Sequence, residues 1–180
     1  MQTTEIRPFK AEDQQEVRDL ALEGLAERWG AEFDPSYNKD LEDIQAYYIA
    51  RHRATVVVLL QEQQQKHPGD RRIIGCGILL PLPAEDVYGT WCAEPPSSSG
   101  PHETKTCCRM MRLSVAKDCR GQGHAKRIIR HLIEKANERH FERILVETET
   151  AWTSAVGIYR SMGFRVIEAG EENVHYELDL

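Results

Sequence analysis

The chain has 180 residues, a formal net charge of −6 and 41% hydrophobic residues, enough for one domain with a full core and short for two. The acidic balance leaves no global electrostatic footprint for nucleic acid or an anionic membrane surface, so any anion site must be local. Five cysteines, Cys76, Cys92, Cys107, Cys108 and Cys119, form no C-x-x-C pair, and the apolar runs Thr55 to Leu60 and Ile73 to Leu82 fall far short of the roughly 20 residues of a spanning helix. The expectation is one reduced, soluble, cytoplasmic domain over residues 1–180, with no membrane and no nucleic acid among its partners.

In chain order, Glu5 to Phe9 reads as an opening strand, and Ala11 to Trp29 as a helix with Val17, Leu20, Ala21 and Leu25 on one face. Asp34-Pro35-Ser36 breaks that pattern, and Asn38 or Asp40 caps a second expected helix to about Arg51, with Leu41, Ile44, Tyr47 and Tyr48 as its apolar positions. Ala54 to Gln61 is continuous and β-branched, a strand buried on both faces, and it forms a hairpin with Arg72 to Leu80. Pro81 to Lys105 gathers five of the prolines and reads as a long surface loop or flexible insertion, centred on residues 82–104.

Thr106 to Val115 is the next strand, followed by a helix from about Gly123 to His140 with Ile128, Ile129, Leu132, Ile133 and Ala136 at helical spacing. Arg143 to Thr148 is a strand, and a helix from Thr153 or Ser154 reaches Met162 before Gly163 stops it. Phe164 to Ala169 and Val174 to Leu180 close the chain as an antiparallel pair, which leaves a homodimer through these last strands open. The order is mixed α/β, a mostly antiparallel central sheet with flanking helices and one strand, helix, strand crossover.

The stretch that carries chemistry is Arg120-Gly121-Gln122-Gly123-His124-Ala125, set between a strand and a helix. Small residues let backbone amides approach a ligand there, the helix start leaves about four N–H groups unpaired, and the macrodipole adds positive charge, so the turn suits a phosphate. A P-loop requires G-x-x-x-x-G-K followed by Ser or Thr, and a dinucleotide fingerprint requires a small residue where Lys126 stands; neither fits.

The pattern Arg-x-x-Gly-x-Ala, Arg120 to Ala125, resembles the pyrophosphate loop of the GNAT superfamily of acetyl-CoA-dependent N-acetyltransferases. Ala155 to Phe164, a helix carrying Tyr159 and ending in Gly163-Phe164, is similar to that family's second signature, and the Arg143 to Thr148 strand lies between the two as the family order requires. Ile6-Arg7-Pro8 and the early helices resemble the family opening, and Leu113-Ser114-Val115 with Arg120-Gly121-Gln122-Gly123 is similar to camello-type members.

The resemblance implies acetyl-CoA as co-substrate and an amine, small-molecule or protein, as acceptor. It places the pyrophosphate on Arg120, Gly121, Gln122, Gly123, His124, Ala125 and Lys126, with Lys126 and Arg127 near the ribose phosphate. Backbone amides at Leu113 and Val115 would hold the pantetheine arm and thioester carbonyl, and Tyr159 would protonate the leaving thiolate. Arg109 stands where many relatives carry a glutamate base, so the expected bases are Glu147 and Glu149, two apart on one strand face, with Glu103 third. Trp152 stands where many members have an asparagine that touches the cofactor arm. The seven histidines show no ligand spacing, and no metal is expected. The rival reading is a non-catalytic acyl-CoA-binding regulatory module.

Overall fold

In the computed structural model, which describes residues 3–62, 70–83 and 106–180, one sheet is built from β1 (Thr4–Pro8), β2 (Thr55–Glu62), β3 (Arg71–Pro81), β4 (Cys107–Val115), β5 (Arg143–Glu149), β6 (Arg165–Ala169) and β7 (Asn173–Asp179). Its order is β1-β2-β3-β4-β5-β7-β6. Every pairing is antiparallel except β4 with β5, which is parallel. The helix between those two strands is α2 (His124–Glu138); α1 (Gln14–Trp29) precedes the β2–β3 hairpin and α3 (Thr153–Ser161) follows β5.

β2 shows why its sequence is continuously apolar. Val57 and Leu59 pack with Ile128, Ile129 and Leu132 of α2, whereas Val56, Val58 and Leu60 pack with Val17, Leu20 and Ala21 of α1. The sheet is therefore covered on both faces, and a period of two sends alternate residues to separate cores. On β3, a Cβ at Gly77 would meet Ile128 Cγ2 and Leu132 Cδ1 at 2.9 Å each. Only the bare backbone lets α2 lie this close, and that seats the start of α2 beside the end of β4.

The expected second helix does not form over its whole length. Short 3₁₀ turns occupy Pro35–Tyr37 and Lys39–Leu41, and a seven-residue π-helical segment runs over Gln45–Arg51. The reason is a long-range cap: the Gln14 amide donates to the carbonyls of Leu41 and Glu42 at 2.9 and 3.2 Å and accepts from the Ile44 N–H at 2.9 Å. Those groups are satisfied from α1 rather than along the segment, so the helix cannot propagate through them. Leu41, Ile44 and Tyr48 are fully buried as their pattern requires, while Tyr47 is exposed. The expected helix from Ala11 also opens as a 3₁₀ turn, Ala11–Asp13, before α1 begins. The loop expected at 82–104 lies outside the described residues apart from Leu82 and Pro83, and Glu103 lies outside them as well.

Candidate active site

The parallel pairing of β4 with β5 covers only Cys107 to Arg109 against Arg143 to Leu145. Beyond Arg109 the two strands separate, although β4 stays paired with β3 up to Val115. A register irregularity in that β3–β4 pairing leaves Arg112 and Leu113 opposite the single residue Gly77, and Arg112 adopts φ +52°. The Ala116 N–H bonds the Ile74 carbonyl on the β3 side at 2.8 Å. By alternation along a strand, the peptide groups of Val115 face the opposite edge, toward the gap. There the Val115 carbonyl accepts from Arg120 Nε at 2.9 Å.

α2 starts at the upper end of this gap. Gly121 and Gly123 have φ of +76° and +82°, a region that disfavours residues with a Cβ, and a Cβ at either would meet nothing within 4 Å. The Gly123 carbonyl already accepts from Arg127 N–H, whereas the N–H groups of His124, Ala125 and Lys126 have no acceptor among the described residues. Three free amides on a helix start, with open space before them, form an anion cradle. His124 Nε2 is likewise buried without a partner, and burial, then Arg127, lowers that imidazole's pKa.

A cavity of about 890 Å³ joins the cradle to the gap and the far wall. Leu113 and Val115 line it from β4, Gly121 and Gly123 to Lys126 from the turn, Glu147 from β5, and Tyr159 from α3. Gln122 and Glu149 are not in its lining. Glu149 alternates onto the same strand face as Glu147, away from Ile144 and Val146, which are buried against α2 and α3. Burial, then the neighbouring Glu172, raises the Glu149 pKa, with Arg28 opposing and Glu32 adding to the rise. Tyr159 is 5% exposed, and burial pushes its phenol up to about 12 against the pull of Arg28, so the hydroxyl stays protonated at neutral pH.

Two cations near the turn are engaged by protein groups. Arg127 donates to the Thr4 carbonyl at 2.9 Å and to the Thr4 hydroxyl, which turns it to β1. Arg120 is committed to the Val115 carbonyl and to Glu27 of α1, 2.6 Å away, so it orients the turn. Lys126 lines the cavity.

The sequence pattern missed a second group of residues. The last turn of α1 crosses above the gap: Glu27 holds Arg120 on one lip, and on the other Trp29 meets Trp152 edge-on at 6.4 Å while the Arg28 guanidinium stacks 4.6 Å from the Trp152 ring centre. Beneath, Arg112 makes a bidentate pair with Asp40 at 2.8 and 3.0 Å, donates to Asn38 at 2.8 Å, and Tyr48 donates to the same Asp40. No local spacing announces contacts between residues more than 70 apart; the unusual Trp152 was the one visible hint.

The sequence that builds this gap and helix start matches the acetyltransferase (GNAT) family model over residues 16–164. The chain belongs to the GNAT acetyltransferase family. Among GNAT structures, its fold is similar to an acetyltransferase from Staphylococcus aureus Mu50, with a TM-score of 0.75 over 99% of both chains at 17% identity. It is also similar to the PaiA N-acetyltransferase from Thermoplasma acidophilum, solved in complex with coenzyme A, with a TM-score of 0.71 over 99% of both chains at 11% identity. In sequence it is 32% identical over 81 residues to human N-acetyltransferase 8B, which covers 45% of this chain and 35% of that protein. The chain thus matches about a third of the length of that relative. Among the described residues, no helix is long and apolar enough to cross a membrane, and no three metal-ligating side chains come together.

Proposed function

We propose that this GNAT member is an acetyl-CoA-dependent N-acetyltransferase that acetylates a primary amine by direct attack. The observation that carries the reading is the single cavity that joins the free amides of α2 to the open edge of β4, with Glu147 and Tyr159 on its walls. The amides of His124, Ala125 and Lys126 suit a pyrophosphate, each charge-assisted bond contributing about 1.5–3 kcal/mol. The gap edge of β4, at Leu113 and Val115, suits an extended arm that pairs as an added strand would.

The acceptor nitrogen attacks the thioester carbonyl carbon, and the oxyanion that develops is held by backbone N–H groups of β4. Glu147, through water, takes the proton the nitrogen gives up. As the C–S bond breaks and its electron pair stays on sulfur, the Tyr159 hydroxyl supplies the proton to the thiolate. A lysine-like amine costs roughly 4–5 kcal/mol to deprotonate at pH 7 and an α-amine only about 1 kcal/mol, so the base matters most for the first kind.

The test is thiol release from acetyl-CoA across a panel of amines, with Tyr159→Phe and Glu147→Gln beside the native chain. We expect release with at least one amine, a lower kcat in Tyr159→Phe at unchanged acetyl-CoA affinity, and a larger loss in Glu147→Gln for lysine-like than for α-amines. Tight acetyl-CoA binding with no thiol release from any amine would instead identify the non-catalytic acyl-CoA-binding module.

A further inference from the structure

The last turn of α1 places one charged side chain over the reaction gap, within the electrostatic reach of Glu27 and Glu149 but in a salt bridge with neither. Glu27 is tied to Arg120 and Trp29 to Trp152, so the residue between them is anchored from both lips. Among the described residues, the Arg28 guanidinium forms no salt bridge and no hydrogen bond, and it lies over the face of Trp152. Trp152 is the N-cap of α3, and Tyr159 lies seven residues later, two turns along the same helix face. Arg28, Trp152 and Tyr159 all line the cavity.

We propose that Arg28, held over the face of Trp152, is a positioning residue that acts through Tyr159: its fixed positive charge over the gap stabilises the negative charge that grows on the Tyr159 oxygen as it gives its proton to the departing thiolate. The inference rests on the acid role of Tyr159 given above. A phenol is a weaker acid than a thiol, about 10 against 8.5 in water, so proton transfer from tyrosine to a thiolate runs uphill unless a cation lowers its cost. Burial steepens that slope at Tyr159, and Arg28 is the charged group that opposes it. A guanidinium suits the task because it stays charged when partly desolvated and stacks on an aromatic face. Stacking also keeps it from folding back onto a carboxylate. In this reading Trp152 replaces a polar contact to the cofactor arm with a platform for a cation.

The experiment is a double-variant cycle on the full chain: Arg28→Gln and Arg28→Lys, each in the native and the Tyr159→Phe background, with kcat, KM for acetyl-CoA and melting temperature measured for all. The expected result is about a tenfold lower kcat in Arg28→Gln, the size of one charge acting across a partly wet cleft. KM for acetyl-CoA should stay within about twofold, Arg28→Lys should recover most of kcat, and Arg28→Gln should add no further loss in the Tyr159→Phe background. An equal, additive loss in that background, or a loss confined to KM, overturns the proposal while leaving Tyr159 as the acid. Unchanged kcat in Tyr159→Phe alone overturns the acid role itself, and no thiol release by the native chain overturns the proposed activity.

Discussion

Asp40→Ala offers a quantitative check on how the bulged strand is held. Asp40 and Arg112 are 13% and 19% exposed at their side chains, and the carboxylate accepts two guanidinium bonds and the hydroxyl of fully buried Tyr48. Removing it leaves Arg112 with Asn38 alone and Tyr48 without its acceptor. Breaking a buried pair from one side costs about 3–5 kcal/mol, and the residual exposure of both partners favours the lower end, about 3 kcal/mol. For a chain of this size about 1 kcal/mol shifts the melting temperature by roughly 2–4 °C, so the expected drop is about 6–12 °C by circular dichroism. Arg112 also sits at φ +52° in the irregular stretch of β4, a conformation a non-glycine residue holds only when its surroundings fix it. Loss of the clamp should therefore lower kcat as well, through the backbone at Leu113. A melting temperature within about 2 °C of the native chain would refute the reasoning, because a largely desolvated guanidinium cannot lose its counter-ion at no cost.

Gly77→Ala should destabilise the fold by about 1–3 kcal/mol in urea titration, since its Cβ enters space held by Ile128 and Leu132 of α2; unchanged stability would mean that α2 does not rest directly on β3. Glu149 supplies a pH test with a defined sign. Its folded-state pKa is raised, first by burial and then by Glu172, so the native chain holds that proton to higher pH than the unfolded chain does. The stabilisation this gives is complete below the unfolded glutamate range and fades as pH rises through the raised value. Glu149→Gln should accordingly melt higher than the native chain at pH 7, with the difference vanishing at acid pH; a lower melting temperature at pH 7 would contradict it.

Much of this molecule was legible because the relevant signals are local. β2 is readable from its unbroken apolar run, α2 from Ile128, Ile129, Leu132 and Ala136 at helical spacing, and the turn from glycines that a positive φ requires. The start of the helix expected from Asn38 or Asp40 to Arg51 misread, while Gln45–Arg51 is helical, because the Gln14 amide, supplied from another element, satisfies backbone groups that a helix would otherwise pair. Arg127 meets the same limit: nothing in its local spacing points to its contact with Thr4, 123 residues away. The Arg28–Trp152 stack and the Arg112–Asp40 pair are tertiary contacts with no signature along the chain. The glycine turn was legible as a phosphate site, whereas the charges arranged around it needed coordinates.

Whether the free amides at the start of α2 grip acetyl-CoA is tested by isothermal titration of the native chain and Gly123→Val with acetyl-CoA. A β-branched residue at φ +82° is strained by about 1–2 kcal/mol and displaces the first free amide. The native chain should bind saturably below about 100 µM, and a folded Gly123→Val should bind at least tenfold more weakly, about 1.4 kcal/mol. Native affinity in Gly123→Val, or no binding by the native chain, would contradict it.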